Sequence, residues 1–546
     1  MVAGCRRADL VSSSVNGQRE AAPVLLDAGS LTRCRHRLYL DTAYGSLLRG
    51  EPENPGVRQR REAAQAHREN VRAQLAVDDS MLWTEIDEPT ARDAADATVA
   101  ACRAGVERIW NAVLPLERDT GRRGRSELLV RDASGGYIPV IVVNHKVTDP
   151  GRGARTTPLD HWSPAIDETR KVRSQLRDQL RLAHLYRMLA HEGLNTATPV
   201  GGAVGYKGEC MLVHDLTTVL DEYDTRFADR LSVAQGAAFT VPSQVSECRS
   251  CSWWFDCKPQ LEAVRDVSLV ASGSRADVLR SAGVRTIDEL AQWTGPAPEE
   301  WPFGKFDDAV SAALAWRADV PLLRRSETVT VHRADVEVDV DMESYQEHGA
   351  YLWGTLLTEA GGPPPTYRGF VTWDPLPTVD EGRSFAVFWT WLMDTRADAA
   401  ARGKTFAAYC YSRQAEDKWL LDSARRFADG PGVPTEAQIH EFIDSEQWVD
   451  IYQAVSDQFI CPNGKGLKKI APVAGFAWRD DEAGGEASMG WYREAVGYDA
   501  DPDHTQRERL LVYNEDDVLA TKVLREWMSD RAEKEIPTVA DLRARA

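Results

Sequence analysis

Three cysteines stand close together in Cys248-Arg-Ser-Cys251-Ser-Trp-Trp-Phe-Asp-Cys257, and a fourth, Cys34, lies far upstream in LTRCRHRLYLD. If all four bind one metal centre, they staple the two ends of an N-terminal domain together. Four thiolates at such spacing suit a four-iron cluster or a zinc ion, because soft sulfur ligands bind both and need be close only in the fold. The bland alternative is a set of ordinary thiols, although two clustered ligands with a third at short spacing seldom arise by chance. The chain carries nine cysteines without regular pairing. That odd number fits a reducing cytoplasm better than a disulfide framework.

One cysteine at the entry of a domain and a CxxC-x5-C trio at its exit resembles the iron–sulfur RecB-type nucleases. The resemblance implies a four-iron four-sulfur cluster on Cys34, Cys248, Cys251 and Cys257, with zinc as the alternative. It implies that the cluster is structural, pinning the ends of a PD-(D/E)xK nuclease fold, and that catalytic motifs lie between. These are only partly present. His67, in AAQAHRENV, stands where the family has a metal-binding histidine, and Glu127, in GRSELLVR, where it has an aspartate. PVIVVNHKV offers Asn144-His145-Lys146 in the expected strand, with an amide where a carboxylate should hold the metal. An amide is a much weaker ligand for a hard cation. Gln179 and Tyr186, in QLRLAHLYRML, sit on a helix that resembles the family's closing Gln-Tyr motif. This centre reads as degenerate, which leaves the domain the task of holding nucleic acid. The arginines of ERDTGRRGR and of ETRKVRSQLRDQLRLAHLYR would contact phosphates by charge. Such runs also make ordinary solvated faces.

At 546 residues the chain exceeds what one hydrophobic core supports, so several domains are expected. Its 65 basic and 84 acidic residues give a net charge of −19, which excludes a protein that coats nucleic acid. Any such contact must come from a local channel or from metal ions that neutralise carboxylates. No apolar run of about 18 residues and no signal peptide is present, so neither a membrane span nor export is expected.

SRADVLRSAGVRTIDELAQWT reads as two short helices around a glycine turn and resembles a helix-hairpin-helix. That resemblance implies turn amides that hold a phosphate. A plain helical linker fits the same residues. Further on, Val336-Glu337-Val338-Asp339-Val340-Asp341-Met342-Glu343 alternates apolar and acidic residues, so a strand here buries its valines on one face and lines carboxylates along the other. A solvated edge strand fits that pattern, but adjacent carboxylates repel, and a divalent cation between them explains their company. GAYLWGTLL reads as a second strand, and RGFVTWDPL with FAVFWTWLMD as more sheet and helix. LLVYNEDDVLATKVLREWM is an amphipathic helix with Tyr513 and Asp517 four apart on one face.

An Asp-x-Glu on a first strand and a Tyr-x3-Asp on a last helix resembles the tyrosine class of RNase H-like 3′–5′ exonucleases. The family needs one more acid between, and KTFAAYCYSRQAEDKWLL supplies Glu416 at that place, with Asp417 beside it. Asp450, in QWVDIYQAV, matches a further acid of related bacterial nucleases, and GKGLKKIAPVAGF, with Lys468, resembles the stretch that follows it. End to end, the chain resembles a RecB-like nuclease family that joins an iron–sulfur RecB-type domain to an RNase H-like domain.

The expected fold is therefore multidomain α/β. It has a flexible tail (1–20), a RecB-type domain with a four-cysteine metal staple (21–265), a small helical connector (266–325) and an RNase H-like mixed sheet flanked by helices (326–546). The resemblance implies that Asp341, Glu343, Glu416 and Asp517 hold two Mg²⁺ or Mn²⁺ ions roughly 4 Å apart for phosphodiester hydrolysis. Tyr513, with an ordinary pKa near 10, would orient water rather than act as a base. The expected substrate is single-stranded DNA, cut from its 3′ end in the cytoplasm, in DNA repair by analogy and with a helicase as a candidate partner. Two other readings stay open: a non-catalytic nucleic-acid scaffold, and cleavage by the N-terminal centre through His67, Glu127 and Lys146.

Overall fold

The computed structural model describes residues 23–45, 55–77, 79, 81–173, 175–482 and 484–545; the tail expected at 1–20 lies outside them. The chain divides into two units. One holds the residues up to Pro242 and Glu247–Trp254, and the other holds Ser243–Ser246 and Phe255–Ala546. The division thus falls ahead of the boundary expected at 265.

The first unit is built on an eight-stranded sheet, in the order 83–85, 108–113, 125–131, 137–142, 200–204, 211–215, 154–157 and 165–167. Tyr137–Val142 is buried along its whole length, as a strand covered on both faces must be. On one side Leu182, Leu185 and Leu189 of helix Leu176–His191 pack with Ile141 and Ala203. On the other, Val71 and Leu75 of helix Pro55–Leu75 meet Leu128, Val140 and Val204. The strand ends at Val142, so Asn144-His145-Lys146 does not lie in it as expected but in the bend that follows, with Asn144 and Lys146 exposed. Extending the strand would turn those polar residues into an apolar core, and the chain leaves the sheet instead.

In the second unit, helices Ser274–Ser281 and Ile287–Ala291 flank Gly283, whose φ of 85° a side chain would resist. The turn's amides are already used. Those of Arg285 and Thr286 donate to Glu289 Oε2 at 2.7 and 2.9 Å, and that of Ile287 to the Arg265 carbonyl. The expected phosphate-holding turn is therefore corrected to a capped helical corner. Its Leu279, Ile287 and Leu290 share a core with helix Phe306–Arg317 and with Leu323, Ile460 and Leu542. The connector is thus part of this unit.

The remainder is a five-stranded sheet, in the order 366–371, 349–359, 336–345, 406–410 and 448–450. The first three strands are antiparallel and the last two join in parallel. Val336, Val338, Val340 and Met342 all face a core with Trp353, Phe385 and Phe388, the last two from helix Asp380–Ala401. Trp353 stacks on Phe388 with ring centroids 4.7 Å apart. The acidic face of the same strand lies under helix His504–Asp530, which Asp503 caps by accepting from the Thr505 amide. Among the described residues, no helix is long and apolar enough to cross a membrane.

Candidate active site

The helix above the sheet sorts the acidic row. Tyr513, Asp517, Thr521 and Arg525 recur every four residues, so all four point down onto the strands. Arg525 is fully buried; it pairs with Asp339 and lies 3.0 Å from Glu337. Tyr409 and Arg333 complete that network, donating to Glu337 at 3.0 and 2.7 Å. Burial alone would raise Glu337, yet the hydrogen bond from Arg333 and the charge of Arg525 hold it at about 2. Half of the row is thus a buried ion-pair lock.

Two turns up the helix the partner is an acid instead. Oxygens of Asp341, Glu343 and Asp517 lie within 4.8 Å of one another, and among the described residues no other set of three His, Cys, Asp or Glu side chains converges this closely. Burial pushes Asp341 well above the carboxylate range, and Asp517, Glu343 and Glu416 push it the same way. Glu343 rises to about 8 by burial and the Asp517 charge, against a hydrogen bond from Ser488. Asp517 is raised too, again by burial first. Three crowded carboxylates with little water are a poor arrangement for a metal-free protein and a good one for a hard divalent cation.

Glu416 opens helix Gln414–Arg426 and is 4 % exposed. Burial lifts it to about 8. Its Oε2 is buried without a hydrogen-bond partner, and its charge reaches Asp341 and Glu343, although it stands outside the converging three. Such an orphaned oxygen fits a cation or its water. The two neighbouring acids are committed elsewhere. Asp417 accepts from Trp448 Nε1 and Arg413 Nε at 2.8 and 2.6 Å. Asp450 accepts from the Ser412 and Tyr452 amides, both at 2.9 Å, as a helix cap and turn brace. Asp450, expected as an additional acid, thus has a structural occupation.

Several residues here had no role assigned from the sequence. Asn514 donates to Asp341 Oδ2 at 2.8 Å and accepts from the Tyr367 hydroxyl at 2.8 Å. It reaches Asp341 because Gly354 stands directly opposite that residue on the next strand, and a β-carbon there would overlap the Asn514 amide. A glycine amid the bulky residues of GAYLWGTLL was the available signal. Trp478 Nε1 donates to Asp517 Oδ1 at 2.7 Å, and Ser488 Oγ lies 3.2 Å from Glu343 Oε2. Lys468 Nζ donates to the Tyr513 hydroxyl at 3.1 Å and sits 4.4 Å from the centre of that ring. Burial and the surrounding carboxylates raise Tyr513, so it remains a neutral phenol.

Several candidates of the first unit have partners of their own. Glu127 is gripped by Arg181 at 2.6 and 2.8 Å. Tyr186 donates to the Thr196 carbonyl at 2.9 Å, and Gln179 is half-buried on the same helix. His67 is 8 % exposed beside Tyr206, and burial lowers its pKa. In the bend, His145 pairs with Asp178 at 2.7 Å. Most of the arginines expected to meet phosphate have acidic neighbours: Arg122 with Glu117, Arg187 with Asp224 and Arg123 with Asp27.

Around Cys34 the two ends of the first unit do meet. Glu247 accepts from the Cys34 amide at 2.8 Å and pairs with Arg37 at 2.5 Å, while Trp253 Nε1 donates to Asp41 at 2.8 Å. Burial raises the Cys251 thiol, the Arg37 charge opposes that rise, and Cys34 lies close enough to add to it.

A family model of the RNase_H superfamily matches residues 422–529, and no curated protein or solved structure matches the chain. The matched stretch holds Lys468, Trp478, Tyr513, Asn514 and Asp517, while Asp341, Glu343 and Glu416 precede it. The C-terminal region of this chain is therefore RNase H-like, a domain type that carries metal-dependent phosphodiester hydrolysis.

Proposed function

We propose that this protein is a 3′–5′ exonuclease acting on single-stranded DNA through its C-terminal region. One observation carries the reading: Asp341 and Glu343 converge within 4.8 Å of Asp517, which lies in the stretch that the RNase H superfamily model matches. The choice of DNA, of single strands and of the 3′ end rests on the resemblance alone. Asp341, Glu343 and Asp517 would hold one divalent cation, with Glu416 beside a second. Bound Mg²⁺ or Mn²⁺ would supply the charge that makes water nucleophilic and stabilises the departing oxygen.

The protein groups position the reactants. Asn514 and Trp478 fix the orientation of Asp341 and Asp517, so the carboxylates need no rearrangement when charge develops. Tyr513 would orient the attacking water by a hydrogen bond. Water oxygen joins phosphorus, the bond from phosphorus to the 3′ oxygen breaks, the water proton passes to solvent, and the leaving oxygen takes up a proton.

For the first unit we propose strand holding and a metal staple on Cys34, Cys248 and Cys251, with Cys257 as the fourth ligand that the resemblance implies. The holding role rests on the resemblance, since the cleft of about 850 Å³ that carries Arg68, Arg72 and Arg125 also carries Glu69, Glu85, Asp87 and Glu127, with Arg72 paired to Glu85 at 3.0 Å. The staple rests on the resemblance: Glu247 holds the Cys34 amide at 2.8 Å, and among the described residues no three of these sulfurs lie within 4.8 Å of one another. Metal analysis of the purified protein decides between iron and zinc, and finding neither would remove the staple.

The first experiment is cleavage of a single-stranded oligonucleotide labelled at either end, with Mn²⁺ or Mg²⁺, comparing the unaltered protein with Asp341→Ala/Asp517→Ala. Stepwise shortening from the 3′ end that vanishes in the double variant is expected. Cleavage that survives it would move the chemistry to the first unit. No cleavage under any metal would leave a nucleic-acid-binding scaffold.

A further inference from the structure

Strand Gly349–Glu359 breaks its alternation once, and the break lies beside the converging acids. Glu343 of strand Val336–Tyr345 pairs with Leu352 and Ser344 with Ala350, so Tyr351 has no partner across that ladder. Such a bulge gives one strand an extra residue and re-aims its side chain. The cores record the result. Ala350 and Trp353 pack with Phe385 and Phe388, whereas the consecutive Tyr351 and Leu352 both pack with Leu510 and Tyr513 of helix His504–Asp530. Regular pleating would place Tyr351 with Phe385, across the sheet from Glu343.

The phenol that the bulge turns toward the acids is held firmly. Tyr351 is 1 % exposed, and its ring stacks on that of Tyr492 with centroids 4.1 Å apart. Its carbonyl accepts from the Thr372 amide at 2.9 Å, which ties the bulged backbone on its other side. Its hydroxyl is nevertheless buried without a well-formed hydrogen bond, a costly state for a donor. That hydroxyl faces Glu343: burial and the Asp517 charge raise this carboxyl, and Ser488 and Tyr351 are among the groups that oppose the rise. The Ser488 hydroxyl is divided between Glu343 Oε2 and the Gly485 carbonyl, both at 3.2 Å.

We propose that Tyr351 is a positioning residue for divalent-cation binding, its hydroxyl donating to the Glu343 carboxylate and fixing the orientation in which that carboxylate meets the cation. This deepens the reading of the acids as a cation site and rests on it. Asp341 has such a donor in Asn514 and Asp517 has one in Trp478, each close and well directed. Glu343 has only the shared Ser488 and, through the bulge, Tyr351. A carboxylate offers about four lone-pair sites on two oxygens, so it can accept from a phenol and bind a cation together. Outer hydrogen bonds of this kind orient the ligand, and losing one costs about 10–100-fold in metal affinity.

The test is direct Mn²⁺ binding by the full chain, counted as the part that Asp341→Ala/Asp517→Ala abolishes. Tyr351→Phe keeps the ring on Tyr492 and removes only the hydroxyl. It should weaken that binding about 10-fold or more. In EDTA its urea midpoint should equal or exceed that of the unaltered protein, because a buried donor without an acceptor has been removed. Tyr492→Phe is the control. Its hydroxyl accepts from the Leu376 amide at 3.2 Å, so its loss should lower the midpoint and leave Mn²⁺ binding unchanged. Binding by Tyr351→Phe within about threefold of the unaltered protein overturns the assignment. A loss of affinity that Tyr492→Phe shares, or a fall in the EDTA midpoint of Tyr351→Phe, overturns it too, since either makes Tyr351 a packing residue. An unaltered protein without Mn²⁺ binding of the counted kind overturns the cation site itself, and Tyr351 with it.

Discussion

At the scale of the residue, the site is an arrangement that costs stability until it is filled. Asp341 and Glu343 are forced above their usual range by burial and by the charge of Asp517, and the strand ladder fixes both. A pKa shift of one unit corresponds to about 1.4 kcal/mol between protonation states. Asp341→Asn removes one of the crowding charges while Asn514 still finds a polar partner. In EDTA at pH 8 we therefore expect this variant to resist urea better than the unaltered protein, by about 1 kcal/mol or more. With millimolar Mn²⁺ the order should reverse, because a ligand bound only to the native state stabilises it in proportion to RT ln(1 + [L]/Kd). Equal stability in EDTA would mean that the carboxylates do not repel in the native state. The residues beside the site illustrate how far single letters reach. Asp417 and Asp450 resemble catalytic acids by position, and only their hydrogen bonds to Trp448, Arg413 and backbone amides set them apart from Glu416.

At the scale of the element, helix His504–Asp530 and strand Val336–Tyr345 act as one device. Arg525 neutralises Glu337 and Asp339 at one end, and the same helix face brings Asp517 to Asp341 and Glu343 at the other. The ion-pair end fixes the register of helix on strand, and the acidic end inherits it. Removing one partner of such a buried pair leaves an uncompensated charge, which is why the lock is asymmetric in its failure. Close approach at the acidic end depends on Gly354. Gly354→Ala should cost about 1–3 kcal/mol, the usual range for overpacking a fitted interior, because Asn514 must move. In an Asn514→Ala background the same change should cost much less. A double-mutant cycle in urea measures the coupling, and additive effects would show that the helix approaches by some other route.

At the scale of the whole molecule, each hydrophobic cluster lies within one unit. Those of the first unit run between Leu26 and Ala234, and those of the second between Val267 and Leu542. Ser243 and Gln244 belong with the second, where Arg280 donates to Ser243 Oγ at 3.0 Å and the Gln244 amide to Ser268 Oγ at 2.8 Å. A fragment of residues 243–546 should therefore fold alone, show a cooperative thermal transition and keep the Mn²⁺-dependent hydrolysis proposed for the intact chain. Its affinity for an oligonucleotide should fall if the first unit holds the strand. An unfolded fragment would mean that the second unit needs the first to form its core. The net charge of −19 makes the same point electrostatically: the surface as a whole repels a polyanion, so binding depends on local features or on metal ions that neutralise carboxylates.

Whatever depends on short periods was legible along the chain. The two-residue repeat of Val336–Glu343 specified a strand with an apolar and an acidic face, and the four-residue repeat of Tyr513 and Asp517 specified a helix that presents both together. Those repeats fix which side chains share a face because backbone geometry is local. Which acids meet which partners was settled by packing. It gave Glu337 and Asp339 to Arg525, left Asp341 and Glu343 to Asp517, set Lys468 against Tyr513 and gave Glu127 of the first unit to Arg181. Spacing along the chain carries no information about such meetings, since they arise from how a helix lies across a sheet and from where a glycine lets it come close.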